Sequence, residues 1–208
     1  MRFVLLIAVV LFALPIMANA TEEPPHATLL KEGAFEIRQY EPTIVAEVEI
    51  TGDMRRAGNS GFRPLADYIF GNNTARSKID MTAPVTRVRS EKIAMTAPVT
   101  RTLDENDMWT VAFVMPSEWT METLPVPNNP EVTIREVPGE MMATLKFSGV
   151  GRERVFEQKR AALENWLAEQ GYQAIGAPRY AGYDAPYVPG PFRRNKVMIP
   201  VAERAPSS

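Results

Sequence analysis

Six side chains carry most of the binding chemistry that this 208-residue chain offers. Arg193 and Arg194 are adjacent, and paired guanidinium groups present forked donors that suit a carboxylate. The alternative is a solvated turn before a last strand. Tyr183 and Tyr187 stand just upstream in a stretch rich in Gly and Pro; their phenols are potential metal donors, and they can equally pack and hydrogen-bond. Met81 and Met95 occupy equivalent places in two copies of one segment, where a thioether can serve as a ligand or fill an irregular core.

The rest of the composition excludes more than it offers. There is no cysteine, which removes disulfides, thiolate metal sites, Fe–S clusters and Cys nucleophiles together. A single histidine, His26, makes a Ser-His-Asp triad or a His-rich metal centre untenable. It falls in a Pro-rich stretch and is expected to be a solvated tail residue. The run Asp104-Glu105-Asn106-Asp107 lacks the spacing of a calcium loop and is expected to be a turn. No nucleophile–base motif stands out among the 25 Asp and Glu, so binding is expected rather than turnover. A formal charge of -2 argues against a nucleic-acid partner.

The elements that must position these side chains are legible as two repeats. Residues 78–87, Lys-Ile-Asp-Met-Thr-Ala-Pro-Val-Thr-Arg, recur at 92–101 with one substitution. Both copies alternate and are expected to be strands, with Ile79, Met81, Ala83 and Val85 and their counterparts on an apolar face; the proline in each implies an edge or a bulge. They end on Arg87 and Arg101. The weaker repeat matches Phe35–Tyr40 with Val132–Val137, and Ala46, Val48, Ile50 and Gly52 with Ala143, Leu145, Phe147 and Gly149, at a constant offset. Each copy is expected to be a β-hairpin or bent strand pair followed by a helix: Ser60 to Phe70 in the first half, Glu153 to Gln170 in the second. Further strands are expected at Trp109–Met115 and Lys196–Val201, with 176–195 a long ordered loop. The fold class is α+β: a distorted antiparallel β-barrel with two flanking helices and a pseudo-twofold repeat of a β-β-α-β-like unit.

The ends carry their own signals. Arg2, an apolar run from Phe3 to Leu14 and Ala18-Asn19-Ala20 together form a secretory signal over 1–20, with Thr21 the expected mature start and no transmembrane segment left in the mature chain. The expected location is periplasmic or secreted. Residues 21–32 are expected to be a flexible lead-in, 33–201 a single domain with halves at about 33–124 and 131–201, and 202–208 a tail.

Several segments resemble, in order, the SOUL haem-binding proteins, most closely their bacterial exported branch. They are the duplicated Lys-Ile-x-Met-Thr-Ala-Pro-Val-Thr, Phe35-Glu-Ile-Arg-Gln-Tyr-Glu-Pro42, Asp67-Tyr-Ile-Phe-Gly-Asn-Asn73, Phe113-Val-Met-Pro-Ser-Glu-Trp-Thr120, and Ala181-Gly-Tyr-Asp-Ala-Pro-Tyr187 followed by Arg193-Arg-Asn-Lys-Val197. The resemblance implies non-covalent binding of haem or another tetrapyrrole on an apolar surface, basic residues near the propionates, and no turnover. On that reading Met81, Met95, Tyr183 and Tyr187 become candidate iron donors, and Arg193 and Arg194 candidate propionate partners. The chain departs from the pattern at Gln39, where some relatives carry a histidine, and at Asp67 and Val188, where some carry lysine. The alternative is a module that binds a protein or lipid partner.

Overall fold

Alternation with a period of two sends Ala46 and Val48 to one side of a strand and Val45 and Glu47 to the other, and a sheet built this way has two unlike faces. The computed structural model describes residues 22–76, 90–184 and 187–204. Among them lie strands β1 (His26–Glu32), β2 (Phe35–Tyr40), β3 (Thr43–Thr51), β4 (Asn73–Thr74), β5 (Val99–Leu103), β6 (Met108–Val114), β7 (Val126–Pro127), β8 (Thr133–Val137), β9 (Met141–Ser148), β10 (Tyr172–Ala174), β11 (Arg179–Gly182) and β12 (Arg194–Glu203). The helices are α1 (Met54–Ile69) and α2 (Glu153–Glu169), and a 3-10 turn spans Gly190–Phe192.

The main sheet is antiparallel and curls into a half-barrel, in the order β1-β2-β9-β12-β11-β5-β6-β3-β8, with β10 also on β12. From β2 to β8 that order is its own reverse when β2 is exchanged for β8, β3 for β9, β5 for β11 and β6 for β12. The weak sequence repeat is therefore a pseudo-twofold axis, passing between β5 and β11, which pair directly. Gly52 and Gly149, equivalent in the repeat, both adopt left-handed φ, at 117° and 123°, where each strand gives way to its helix.

The helices cover the convex face. Helix α1 lies on β3 and β6, and α2 on β9, β10 and β12. Beneath them Ile37, Val48, Val111, Phe113, Leu145, Phe156, Leu163 and Val197 form one core, each less than a tenth exposed. Contact is close enough that a Cβ at Gly61 would stand 2.5 Å from Cγ2 of Val111.

The structure corrects several expectations. Helix α1 starts six residues before Ser60, because Asp53 caps it: the Arg56 amide donates to Asp53 Oδ1 at 2.7 Å. The poor helix formers Gly58-Asn59-Ser60-Gly61 are carried inside it, and Pro64 sits in its interior, because packing of Ala57, Gly61 and Leu65 outweighs propensity. Asp53→Ala should cost about 1 kcal/mol, checked by thermal unfolding. Residues 92–98 are not a strand; only Val99 onward pairs, with β6 and β11. The expected 176–195 loop contains β11, and the last strand is longer than Lys196–Val201 at both ends. The expected flexible lead-in holds β1, which pairs with β2 along its length, so His26 is in a strand and not a loose tail. The first copy of the duplicated segment, with Met81 and Arg87, lies outside the described residues, as do residues 1–20.

Candidate functional site

The concave face is where the two-faced strands put their unusual residues. Tyr40, Met142, Ala181 and Met198 form a second buried cluster there, with Tyr183 packed against it, separate from the helix-side core. They arrive from β2, β9, β12 and the β11 end because each occupies the off-core phase of its strand. Two cavities share this side. One of about 650 Å³ is walled by Ile44, Thr96, Val114, Met115, Trp119 and Val137, with Glu22, Glu23, Glu41 and Glu136 among its lining. The second, of about 200 Å³, runs over Tyr40, Met142, Met198 and the threonines 43, 100, 102 and 110. Pro24, Glu41, Thr43, Val114, Val137 and Pro138 border both, so they are two lobes of one groove. The larger lobe falls in the size range of small-molecule sites.

Charge in and around the groove is largely paired on the sheet itself. Arg38 bonds Glu36, two residues away on β2, with Nε donating at 2.6 Å. Arg135 on β8 donates to Glu47 on β3 at 2.7 Å. Arg179 grips Glu140 through both terminal nitrogens, at 2.5 and 2.9 Å. Lys196 differs. Its residue is only 3% exposed, its ammonium lies 4.6 Å from the centre of the Tyr183 ring, and its carboxylate partner, Glu23 at 3.2 Å, comes from the chain segment that precedes β1. Burial, reinforced by the charge of Arg38, pulls the Lys196 amine down to about 8 against the pull of Glu23. Burial raises the phenol of Tyr183 well above its ordinary value, and that of Tyr40 also rises despite the neighbouring Arg38.

The side chains singled out from the sequence are dispersed around this groove. Tyr183 packs against the Tyr40–Met142–Ala181–Met198 cluster. Arg194 binds Asp184, with Nη2 at 2.9 Å, and its guanidinium carbon stands 5.8 Å from the Tyr183 ring. Arg193 turns its Nε to the Val188 carbonyl at 2.8 Å, so the adjacent pair does not form one fork. Tyr187 is 88% exposed and, with Phe192 and Val150, gives this end of the sheet an apolar surface. Met95 was expected on a buried strand face; it is 39% exposed, because the unpaired 92–98 segment buries Ile93, Thr96 and Ala97 instead. Arg101 points to the helix side, donating to the Met54 carbonyl at 3.3 Å and lying over Phe156. Asp104 accepts from the Asn106 and Met108 amides, which makes its acidic run the β5–β6 turn that was expected.

Sequence reasoning missed Lys196, Tyr40, Met142, Met198 and the segment 22–25. The available signal was phase: all four named side chains stand out of step with the apolar core positions of their strands. His26 Nδ1 lies 2.9 Å from the Pro24 carbonyl, and its ring centre is 5.0 Å from that of Tyr40.

Comparison with known proteins fits this architecture. A family model described as SOUL heme-binding protein matches residues 21–200. Heme-binding protein 2 of Homo sapiens is 28% identical over 175 residues, covering 81% of each chain. The Mus musculus protein of the same name is 28% identical over 157 residues, covering 74% of this chain and 72% of its own. Among solved structures, the EcmrR C-terminal domain superposes with a TM-score of 0.59 at 13% identity, covering 81% of this chain and 97% of that one. A hydrolase from Listeria innocua gives 0.55 at 14%, covering 84% and 94%. At such identities these two share the fold and nothing more is carried over. The family match spans nearly the whole described chain, and with it the curled sheet, its two helices and the motif set have one common explanation: the chain belongs to the SOUL heme-binding protein family.

Proposed function

We propose that this protein binds haem or a related tetrapyrrole, without turning it over, in the concave groove of the half-barrel. Family membership carries this reading. The groove residues fit the group. Haem iron takes His, Met, Cys or Tyr as axial partner, and the floor and its border present the Tyr40 and Tyr183 phenols, the Met142 and Met198 thioethers and the His26 ring. Arg135 and Arg179, which line the smaller lobe, and Lys196 and Arg38, beside Tyr183 and Tyr40, would be the cations to hold propionates; the larger lobe, lined by four glutamates and no basic side chain, repels them. Bound there, haem would supply an iron centre and a strong visible chromophore. The chain's part is to bind, to orient and to exclude water. Tyr183 belongs to this site, with Arg194, held by Asp184, lying over its ring; Tyr187, Arg193 and Met95 are assigned no contact with the ligand. An exported location follows from the signal-like residues 1–20, and among the described residues no helix is long and apolar enough to cross a membrane.

The test is a visible-spectrum titration with haemin. The protein should give a saturable Soret shift. Val137→Trp, on the edge strand β8 and bordering both lobes, should weaken it by more than about tenfold while leaving the far-UV spectrum intact. Arg193→Ala/Arg194→Ala should weaken it by less than about tenfold, because both guanidinium groups already hold partners. Absence of a saturable shift would reject the reading and favour a protein or lipid partner.

A further inference from the structure

Residues 22–25, Glu-Glu-Pro-Pro, run as a strap along the groove before β1 begins. They belong to no strand or helix. Besides the local contact of the Pro24 carbonyl with His26 Nδ1, four contacts fasten them: the Glu22 carbonyl accepts from the Ala97 amide at 2.9 Å, Glu22 Oε1 from the Ser117 amide at 3.0 Å, the Pro25 carbonyl from the Glu41 amide at 3.0 Å, and Glu23 Oε2 from Lys196 at 3.2 Å. Two of the four residues are prolines, which lack an N–H, and Glu22, Glu23 and Pro25 are exposed. No apolar side chain of the strap is buried in the core. Such a segment is cheap to lift compared with any strand beneath it.

What the strap covers is not generic surface. Arg38, Arg135 and Arg179 find their carboxylates on the sheet or at its strand ends, where they stay whatever the strap does. Lys196, unlike those three arginines, takes its counter-charge from a detachable piece of chain. A buried ammonium without a counter-charge is costly, so this position selects an anion. The Tyr183 ring beside it, itself packed on the Tyr40–Met142–Ala181–Met198 cluster, makes it a carboxylate position at the edge of an apolar surface.

We infer that Lys196 forms a carboxylate-binding site beside the groove, and that Glu23 is the chain's own stand-in for a ligand carboxylate, displaced when a ligand with an apolar body and a carboxylate binds. This rests on the proposed function only for the identity of that ligand. The strap makes binding an exchange: one carboxylate leaves Lys196 as another arrives, and the ligand gains the surface that the strap vacates.

The test is amine acylation of Lys196, followed by peptide mass spectrometry with exposed Lys146 as internal reference. In the native chain Lys196 should label slowly. In Glu23→Gln it should label about tenfold faster, as expected for loss of one charge-assisted hydrogen bond. Protoporphyrin IX should restore protection, and its dimethyl ester should not. Unchanged labelling in Glu23→Gln, or equal protection by the diester, overturns the inference even if haemin binds. Faster labelling that glutarate suppresses and protoporphyrin does not would sustain the carboxylate site while rejecting the tetrapyrrole as its ligand.

Discussion

Replacing Phe156 with alanine is expected to lower the unfolding free energy by about 3–5 kcal/mol, read as a shift of the urea midpoint at unchanged slope. The cost is large because this ring joins α2 to three strands. It is fully buried on the first turn of α2. Its centroid lies 5.2 Å from that of Phe147 on β9 and 5.3 Å from that of Tyr180 on β11, both edge-on, the arrangement that ring quadrupoles favour. Arg101 of β5 caps it, its guanidinium carbon 5.4 Å from the ring centre. The fit has no slack: a Cβ on Gly151 would stand 2.7 Å from Phe156 Cε2. Alanine would leave a void beside a guanidinium that burial already disfavours. Phe156→Leu keeps much of the volume and should cost less than half as much. A midpoint unmoved by the alanine change would show that α2 is not seated on the β9–β11 junction.

How far such packing could be read from the chain differs between its two faces. The convex face was legible. Val48, Val111, Leu145 and the stripe of α2 follow from period alone, and Val48, Val111, Leu145, Phe156, Leu163, Trp166 and Leu167 are all buried. The repeat at constant offset implies the pseudo-twofold relation, because equivalent residues such as Gly52 and Gly149 do equivalent work. The concave face was not legible. Lys196 and Glu36 look solvated by type, and nothing in the alternation says that a second layer covers them. That layer is made by the curl of the sheet and by residues 22–25, both long-range effects: Lys196 meets Glu23 across most of the chain. Boundaries failed for the same reason. Asp53 starts α1 well before the glycine and serine cluster that looked like its beginning, since Ala57 and Gly61 gain more from contact with the sheet than Gly loses in propensity. Strand β11 was hidden among Gly and Pro because it is only four residues long and takes its register from β5 and β12.

The same buried lysine dictates a stability profile that rises with pH. Unfolded, the Lys196 amine has its ordinary value of 10.5; folded, burial holds it near 8. Below about pH 8 it is protonated in both states, and the folded protein bears the full cost of burying the charge. Between the two values the unfolded state binds more protons, so unfolding becomes less favourable as pH rises. Each pH unit in that window is worth about 1.4 kcal/mol, giving about 2 kcal/mol between pH 8 and 9.5. Other groups face this amine: Arg38 and exposed Lys146 oppose its charge, Glu23 favours it, and the Tyr40 and Tyr183 phenols titrate above their ordinary value of 10. Folded tyrosines with raised values erode stability above pH 10, so the window must close below that. Lys196→Met removes the charge and keeps the stem. It leaves Glu23 in solvent, not as an orphaned buried ion, because that side chain is 39% exposed. The variant should therefore be more stable than the native chain at pH 7 by about 1–3 kcal/mol, in line with apolar replacement of buried charge elsewhere. The difference should shrink towards zero by pH 9.5, since tyrosine contributions cancel between the two proteins. Urea midpoints for both at pH 7, 8.5 and 9.5 measure it. A Lys196→Met protein less stable than the native chain at pH 7 would mean that the Glu23 contact outweighs the burial cost, and that the strap is a clamp and not a displaceable cover.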